Sequence, residues 1–224
     1  MLVVERFLRS LAAEGTLLTG QQTLSVFVVG GSERDPEVAA LRALEVPITV
    51  RCFGVDAEST WVDLNSHPEL DRPDRSGADL VLCSQVLEHI WNHANAFQWL
   101  FSMVRSGGLL WLAAPASNRP HGSPDYFSAG FSDRYLAANA TNHGFEVLDS
   151  GVLGSKRLYV SALTSESWLT RREHSSPVLG LLRRRPTRST IRKLPSFLRL
   201  QFWNPRIRRD IRFATESWLL ARRP

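Results

Sequence analysis

Glycine, carboxylate, amide and imidazole side chains recur where short apolar runs end, and these are the residues of this 224-residue chain whose types could do chemistry. Gly30-Gly31-Ser32 follow the run Ser25 to Val29, Asp56 follows Ile48 to Val55, and Asp63-Leu64 follow Trp61-Val62. Ser84-Gln85 follow Asp79 to Cys83, with Glu88-His89 just beyond, and His121 and Tyr126 lie in the loop after Pro115. Glycines at a strand end let a ligand approach the backbone closely, and an acid at the end of the next strand accepts both hydroxyls of a ribose. Imidazoles titrate near neutrality and serve as general bases. The combination suits a ligand built on a nucleoside. Taken singly, each has a plainer reading: Gly30-Gly31 as a tight turn, Asp56 and Asp63 as ordinary strand-end polar residues, His89 as a helix-capping or core-bonded histidine, His121 as loop surface. Their order along the chain is the stronger argument.

That order requires strands that end side by side. Between Ser25 and Leu163, β-rich apolar runs alternate with helix-like segments, which predicts a parallel sheet with covering helices. Asp35-Pro36-Glu37 reads as an acceptor cap followed by proline at the first helical position, opening a helix over 36–45 with Val38, Leu41 and Leu44 on one face. Asp79 to Cys83 reads as a buried central strand. A helix over about 93–105 stops at Gly107-Gly108, and Leu109 to Ala113 is a fifth strand. Another helix runs from Ser132 to Gly144, and the runs 145–148 and 157–163, joined by a turn at Gly151 and Gly154, form a terminal antiparallel hairpin. The expected organisation is an N-terminal amphipathic helix within 1–21, a doubly wound α/β domain over 22–165, and an extension over 166–224. In an open sheet of this kind ligands bind beyond the carboxyl ends of the strands, where the strand order reverses.

The segment Asp79-Leu-Val-Leu-Cys-Ser-Gln-Val-Leu-Glu-His-Ile90, with Met103-Val-Arg-Ser-Gly-Gly-Leu-Leu-Trp-Leu-Ala-Ala-Pro115, resembles the class I S-adenosylmethionine-dependent methyltransferases, in particular the type 11-like members, over residues 22–163. His121-Gly-Ser-Pro-Asp-Tyr-Phe127 is similar to a His-x-x-Pro-x-Asp-Tyr-Phe loop of bacterial members associated with glycan and cell-envelope biosynthesis, one residue shorter here. The resemblance implies a Rossmann-like fold and S-adenosylmethionine as cofactor, with Gly30, Gly31 and Ser32 bordering its methionine portion, Asp56 its ribose, Asp63 and Leu64 its adenine, and Ser84 and Gln85 beside the methyl donor. His89 and His121 are then candidate bases, and Tyr126 positions an acceptor. The family's first motif, acidic-x-Gly-x-Gly-x-Gly, is eroded: Val28 stands at the acidic position, and Ser32 and Arg34 replace two glycines. Glu33 or Asp35 would have to supply the missing charge.

The composition, 43% hydrophobic and 22% charged, is that of a globular domain, and no apolar run reaches the roughly 18 residues of a membrane span. Glu5, Arg6 and Arg9 interrupt the one stretch that could form a signal-peptide core, and Cys52 and Cys83 lie in apolar runs without zinc spacing, so the expectation is a cytoplasmic protein with reduced thiols and no metal. Residues 171–224 carry 15 Arg and Lys against three Asp and Glu, on a body that is net acidic. Such a segment suits packing on the body, a second subunit, or an anionic membrane surface at the inner face; no nucleic-acid motif accompanies it. Trp61, Trp91, Trp99 and Trp111 are expected in the core or the cleft wall, with Trp91 nearest an acceptor sugar, while Trp168 and Trp203 suit a headgroup boundary. The favoured reading is methyl transfer to a hydroxyl or amine of a small or glycan-like acceptor. Its rivals are a catalytically silent scaffold on the same fold and a nicotinamide-dependent oxidoreductase, the latter lacking GxGxxG spacing.

Overall fold

In the computed structural model, the described residues are 23–43, 47–54, 59–68, 77–118, 121, 124–154 and 214–224. The expected N-terminal helix, Asp56, the run 157–163, and the extension up to residue 213 with Trp168 and Trp203 lie outside them.

Two apolar runs make the centre of the sheet. β1 (Leu24–Val29) and β4 (Ala78–Ser84) pair in parallel from Val26 opposite Leu80 to Val29 opposite Cys83, and every residue of both strands but Ser25 and Ser84 is buried. Strands covered on both faces need no polar alternation, which is why both runs read as continuous. Asp79 anchors the register: its 6% exposed carboxylate accepts from the Ser25 N–H at 2.7 Å and from Arg105 Nε at 2.5 Å, so the first acid of the Asp-Leu-Val-Leu run is structural.

From that pair the sheet grows outward in the order β3-β2-β1-β4-β5-β7-β6, with β2 (Ile48–Gly54), β3 (Thr60–Trp61), β5 (Val104–Pro115), β6 (Glu146–Leu153) and β7 (Glu216–Arg222). β1 to β5 are parallel, and β7 runs antiparallel to both β5 and β6. The doubly wound sheet with a terminal antiparallel pair is therefore present, but the partner of β6 is the chain's last strand, and Gly151 lies inside β6 opposite Trp218 rather than in a turn. Alternate strand residues feed two cores. On one face Phe27, Phe53, Val81 and Leu112 meet α2 (His93–Met103) and α3 (Asp133–Asn142); on the other Val26, Leu80 and Trp111, whose ring stacks on Trp218 at 5.7 Å, meet Val38 and Leu41 of α1 (Pro36–Arg42).

Three local expectations are corrected. α2 ends at Met103 because Val104 is already extended and paired with Ala78; Gly107 (φ +75°) and Gly108 serve a bulge within β5, where a side chain at 108 would strike the Ala78 carbonyl at 2.8 Å. Asp35 takes the N-cap position of α1, but its carboxylate accepts from Ser32 Oγ (3.0 Å) and makes no cap bond. Of the four tryptophans expected in the core or the cleft wall, Trp99 and Trp111 are core, whereas Trp61 and Trp91 are 58% and 62% exposed. The end of the basic segment has structural work: Arg223 lies over the Phe101 ring at 4.3 Å and donates to the Phe101 and Val104 carbonyls, satisfying the C-terminus of α2.

Two stability measurements follow. Asp79→Ala leaves Arg105 and the Ser25 N–H without their acceptor and should lower the urea-unfolding free energy by about 2–3 kcal/mol, discounted because Arg105 is one-third exposed; a loss under 0.5 kcal/mol would show that the anchor carries nothing. Burial first, and the Glu37 charge second, push the Glu216 carboxyl from its ordinary 4.5 up to about 7. The folded chain therefore keeps a proton that the unfolded chain sheds above 4.5, and that contribution, full below 4.5, is lost as pH rises to 7. Glu216→Gln should gain about 1–2 kcal/mol over wild type at pH 8 and nothing at pH 4; equal stability at pH 8 contradicts the shift.

Candidate ligand pocket

Where β1 and β4 part company, their connections leave in opposite directions, and a cavity of about 520 Å³ opens beyond the strand ends. β1 and β2 contribute Val29, Gly30 and Gly54; the tip after β3 contributes Val62, Asp63, Leu64 and Asn65; the turn after β4 contributes Gln85, Val86, His89 and Ile90; Asp125 closes one side. The volume falls in the range of small-molecule sites.

The turn after β1 is tight. Gly30 sits at φ +70°, its N–H donates to the Phe53 carbonyl at 2.7 Å, and a Cβ there would meet Val86 at 2.4 Å, so the left-handed step and the close approach both demand glycine. The turn after β4 contains Gln85, whose φ of 58° is an outlier for a residue with a side chain and sends the chain abruptly from the strand into the 3-10 turn Leu87–His89. The β3 tip is fixed by Asn65: its side chain accepts from the N–H groups of Trp91 (3.0 Å) and Asn92 (3.1 Å), and its carbonyl accepts from Asn95 Nδ2 (2.7 Å). Asp63 Oδ1 accepts from the backbone and side chain of Asn65, holding the acid against the cavity wall.

The described residues of the loop after Pro115 are laid over the far side. Phe131 N–H donates to Pro115, Asn118 N–H to Ala129, and the N–H groups of Phe127 and Ser128 to the Glu88 carbonyl. It brings three sequence candidates together: the His89 and His121 rings are 4.9 Å apart, and Tyr126 is 5.1 Å from His121 and 6.3 Å from His89. His89 Nδ1 lies 2.5 Å from the Asp125 carbonyl, which can only accept, so Nδ1 carries the proton and Nε2 is left with its lone pair. Tyr126 OH donates to the Asn118 carbonyl at 3.2 Å. Beneath them Glu88 is wholly buried; loss of water pushes its carboxyl above the ordinary range, and its own backbone N–H, then His89 and His121, pull it part of the way back.

Of the sequence candidates, Gly30, Asp63, Leu64, Gln85 and His89 line the cavity. Gly31, Ser32, Ser84, His121 and Tyr126 do not, although the last two rings adjoin His89. Asp35 folds over Gly31, Ser32 is occupied with Asp35, and Ser84 Oγ donates to Glu37 at 3.0 Å beside α1, on the opposite side of the sheet. Asn65, Asp125 and Glu88 were given no role by sequence reasoning. Only the order Asp63-Leu64-Asn65 hinted at the first, because its partners are backbone groups of a distant segment.

The sequence matches no protein-family model and no curated protein at a significant level. Solved structures do match over nearly the whole chain. The [4+2]-cyclase SpnF superimposes with a TM-score of 0.55 at 16% identity, over 98% of this chain and 80% of that one. An S-adenosylmethionine-dependent methyltransferase from Mesorhizobium loti does so at 0.52 and 13%, over 99% and 98%; one from Archaeoglobus fulgidus at 0.52 and 12%, over 98% and 94%. The fold is that of the Rossmann-like class I methyltransferases. A cyclase among the neighbours shows that this methyltransferase fold alone does not fix the reaction.

Within the methyltransferase fold, the departures in the first turn acquire a physical form. Glu33 is paired with Arg42 at 2.7 Å, both half exposed, and Asp35 is bound to Ser32; neither acid lines the cavity. Gly30 is the part of the motif that remains under a steric demand. Gly30→Ala should therefore cost about 2 kcal/mol or more in unfolding free energy, from the left-handed backbone and the Val86 clash together; Gly31→Ala carries no left-handed backbone, displaces the movable Asp35 carboxylate and presses Val28 Cγ1 at 3.0 Å, and should cost less. Equal losses in a thermal-unfolding comparison would contradict this division.

Proposed function

We propose that this chain transfers a methyl group from S-adenosylmethionine to a hydroxyl or amine of a small, glycan-like acceptor, in a cell-envelope or polysaccharide context that the His121 to Phe127 loop suggests. The observation that carries the reading is the cavity itself: apolar walls from Val62, Leu64, Val86 and Ile90, a carboxylate at Asp63 and the imidazole of His89, at the strand-order reversal, with the His121 ring 4.9 Å from that of His89 and Tyr126 beside it. Those walls fit an adenosine, with Asp63 as acceptor for its polar edge and Gly30 and Gly54 admitting the remainder. When bound, S-adenosylmethionine supplies a methyl carbon activated by a sulfonium.

The protein's share of such a reaction is to position two reactants and remove a proton. His89 Nε2, free of the Asp125 contact, and His121 are the groups to accept that proton; Tyr126 orients the acceptor. The lack of an acid on the first turn favours one other reading, a silent relative that keeps the fold as a binding module, because an ammonium group of the ligand finds no partner among Val28, Glu33 and Asp35.

Calorimetric titration with S-adenosylhomocysteine, S-adenosylmethionine and NAD separates the readings. The proposal expects binding of the first two at micromolar level or better, and none of NAD; Asp63→Ala should weaken the nucleosides by about 1–3 kcal/mol. Binding of NAD alone, or of nothing, refutes methyl transfer. Given binding, His89→Gln should lower turnover about 100-fold or more with little change in cofactor affinity.

A further inference from the structure

Glu88 poses a problem that the methyl-transfer reading leaves unsolved. It has no exposed surface, and among the described residues neither carboxylate oxygen has a hydrogen-bond partner beyond a strained contact with its own backbone N–H. A buried carboxylate in that state costs several kcal/mol and calls for a counter-charge. One oxygen of Glu88 and one ring nitrogen each of His89 and His121 lie within 4.8 Å of one another, near enough to surround one ion, and no hydrogen bond joins the Glu88 oxygens to either ring. The second contact of His89 fits the same purpose: its Nδ1–H is committed to the Asp125 carbonyl, which in the neutral ring leaves Nε2 as a lone pair. Metal-bound histidines are oriented by such outer contacts.

We propose that Glu88, His89 and His121 form a binding site for one divalent transition-metal ion. Two imidazoles and one carboxylate are the donor set of Zn²⁺, Mn²⁺, Fe²⁺ and Co²⁺ rather than of the all-oxygen ions Mg²⁺ and Ca²⁺. Two ligands are adjacent in the chain and the third arrives on a loop 32 positions later, so no zinc-like spacing marks the site in the sequence. His89 also lines the cavity, which puts the ion at the cavity margin with positions open to an oxygen of a bound small molecule. One consequence, and only this one, rests on the methyl-transfer reading: an ion holding the acceptor hydroxyl lowers its pKa and takes that task from the imidazoles.

The test needs no cofactor. Tag-free, chelator-treated full-length protein is titrated with Co²⁺, followed by its visible absorption bands and by calorimetry, with Zn²⁺ as competitor. Uptake of one Co²⁺ per chain, displaced by Zn²⁺ and weakened at least about tenfold by both Glu88→Gln and His121→Ala, supports the site. His121→Ala alters only a loop side chain, so it remains informative if Glu88→Gln fails to fold. Absence of uptake, or wild-type affinity in either folded variant, overturns it. Metal binding with no response to S-adenosylhomocysteine would uphold this site while rejecting the methyl-transfer reading, and the reverse outcome would do the opposite.

Discussion

Adjacent parallel strands whose connections depart to opposite sides cannot close the gap between their ends, and the pairing of β1 with β4 imposes that gap here. The buried carboxylate of Asp79 sets the pairing at one end of the strands, and the Gly30 turn seated beneath Val86 terminates it at the other. Everything that faces the cavity depends on those two contacts. A shift of the β1 ladder by one residue would exchange the two core faces and remove Gly30 from the only place where its conformation is useful.

The parallel core was legible in the sequence because its strands are continuous apolar runs punctuated by glycine, proline and aspartate. Its edges were less so. β7 could not be found from its own letters: Glu216 to Arg222 mixes charge with apolar residues at the end of an arginine-rich segment, and its strand character comes from being inserted between β5 and β6. Gly107 and Gly108 read as a helix stop, yet the same backbone freedom serves a bulge in β5, and the two uses have the same sequence signature. Trp61 was misplaced since it lies in a two-residue strand at the sheet edge, where both residues are exposed.

The cavity was legible in outline and not in detail. Strand order predicts which tips meet, so Gly30, Asp63, Leu64, Gln85 and His89 could be named, and His89, His121 and Tyr126 do converge. Side-chain direction is a separate matter. Ser84 is the last residue of β4 and points to the face that Leu82 occupies, toward Glu37, whereas the next residue faces the cavity. Asn65 and Glu88 were given no role because their importance lies in what surrounds them: for one, two backbone N–H groups and a side-chain amide of a neighbouring segment; for the other, burial with no hydrogen-bond partner on another described residue.

A fold shared with both methyltransferases and a cyclase makes the cavity's occupant the decisive fact. The most direct measurement is a crystal structure of the chain grown with S-adenosylhomocysteine. The account predicts density for the nucleoside between the β1 and β4 tips, its adenine between Leu64 and Val86 and a polar contact to Asp63. Density elsewhere on the molecule, or a cavity filled by solvent alone at saturating ligand, would contradict it.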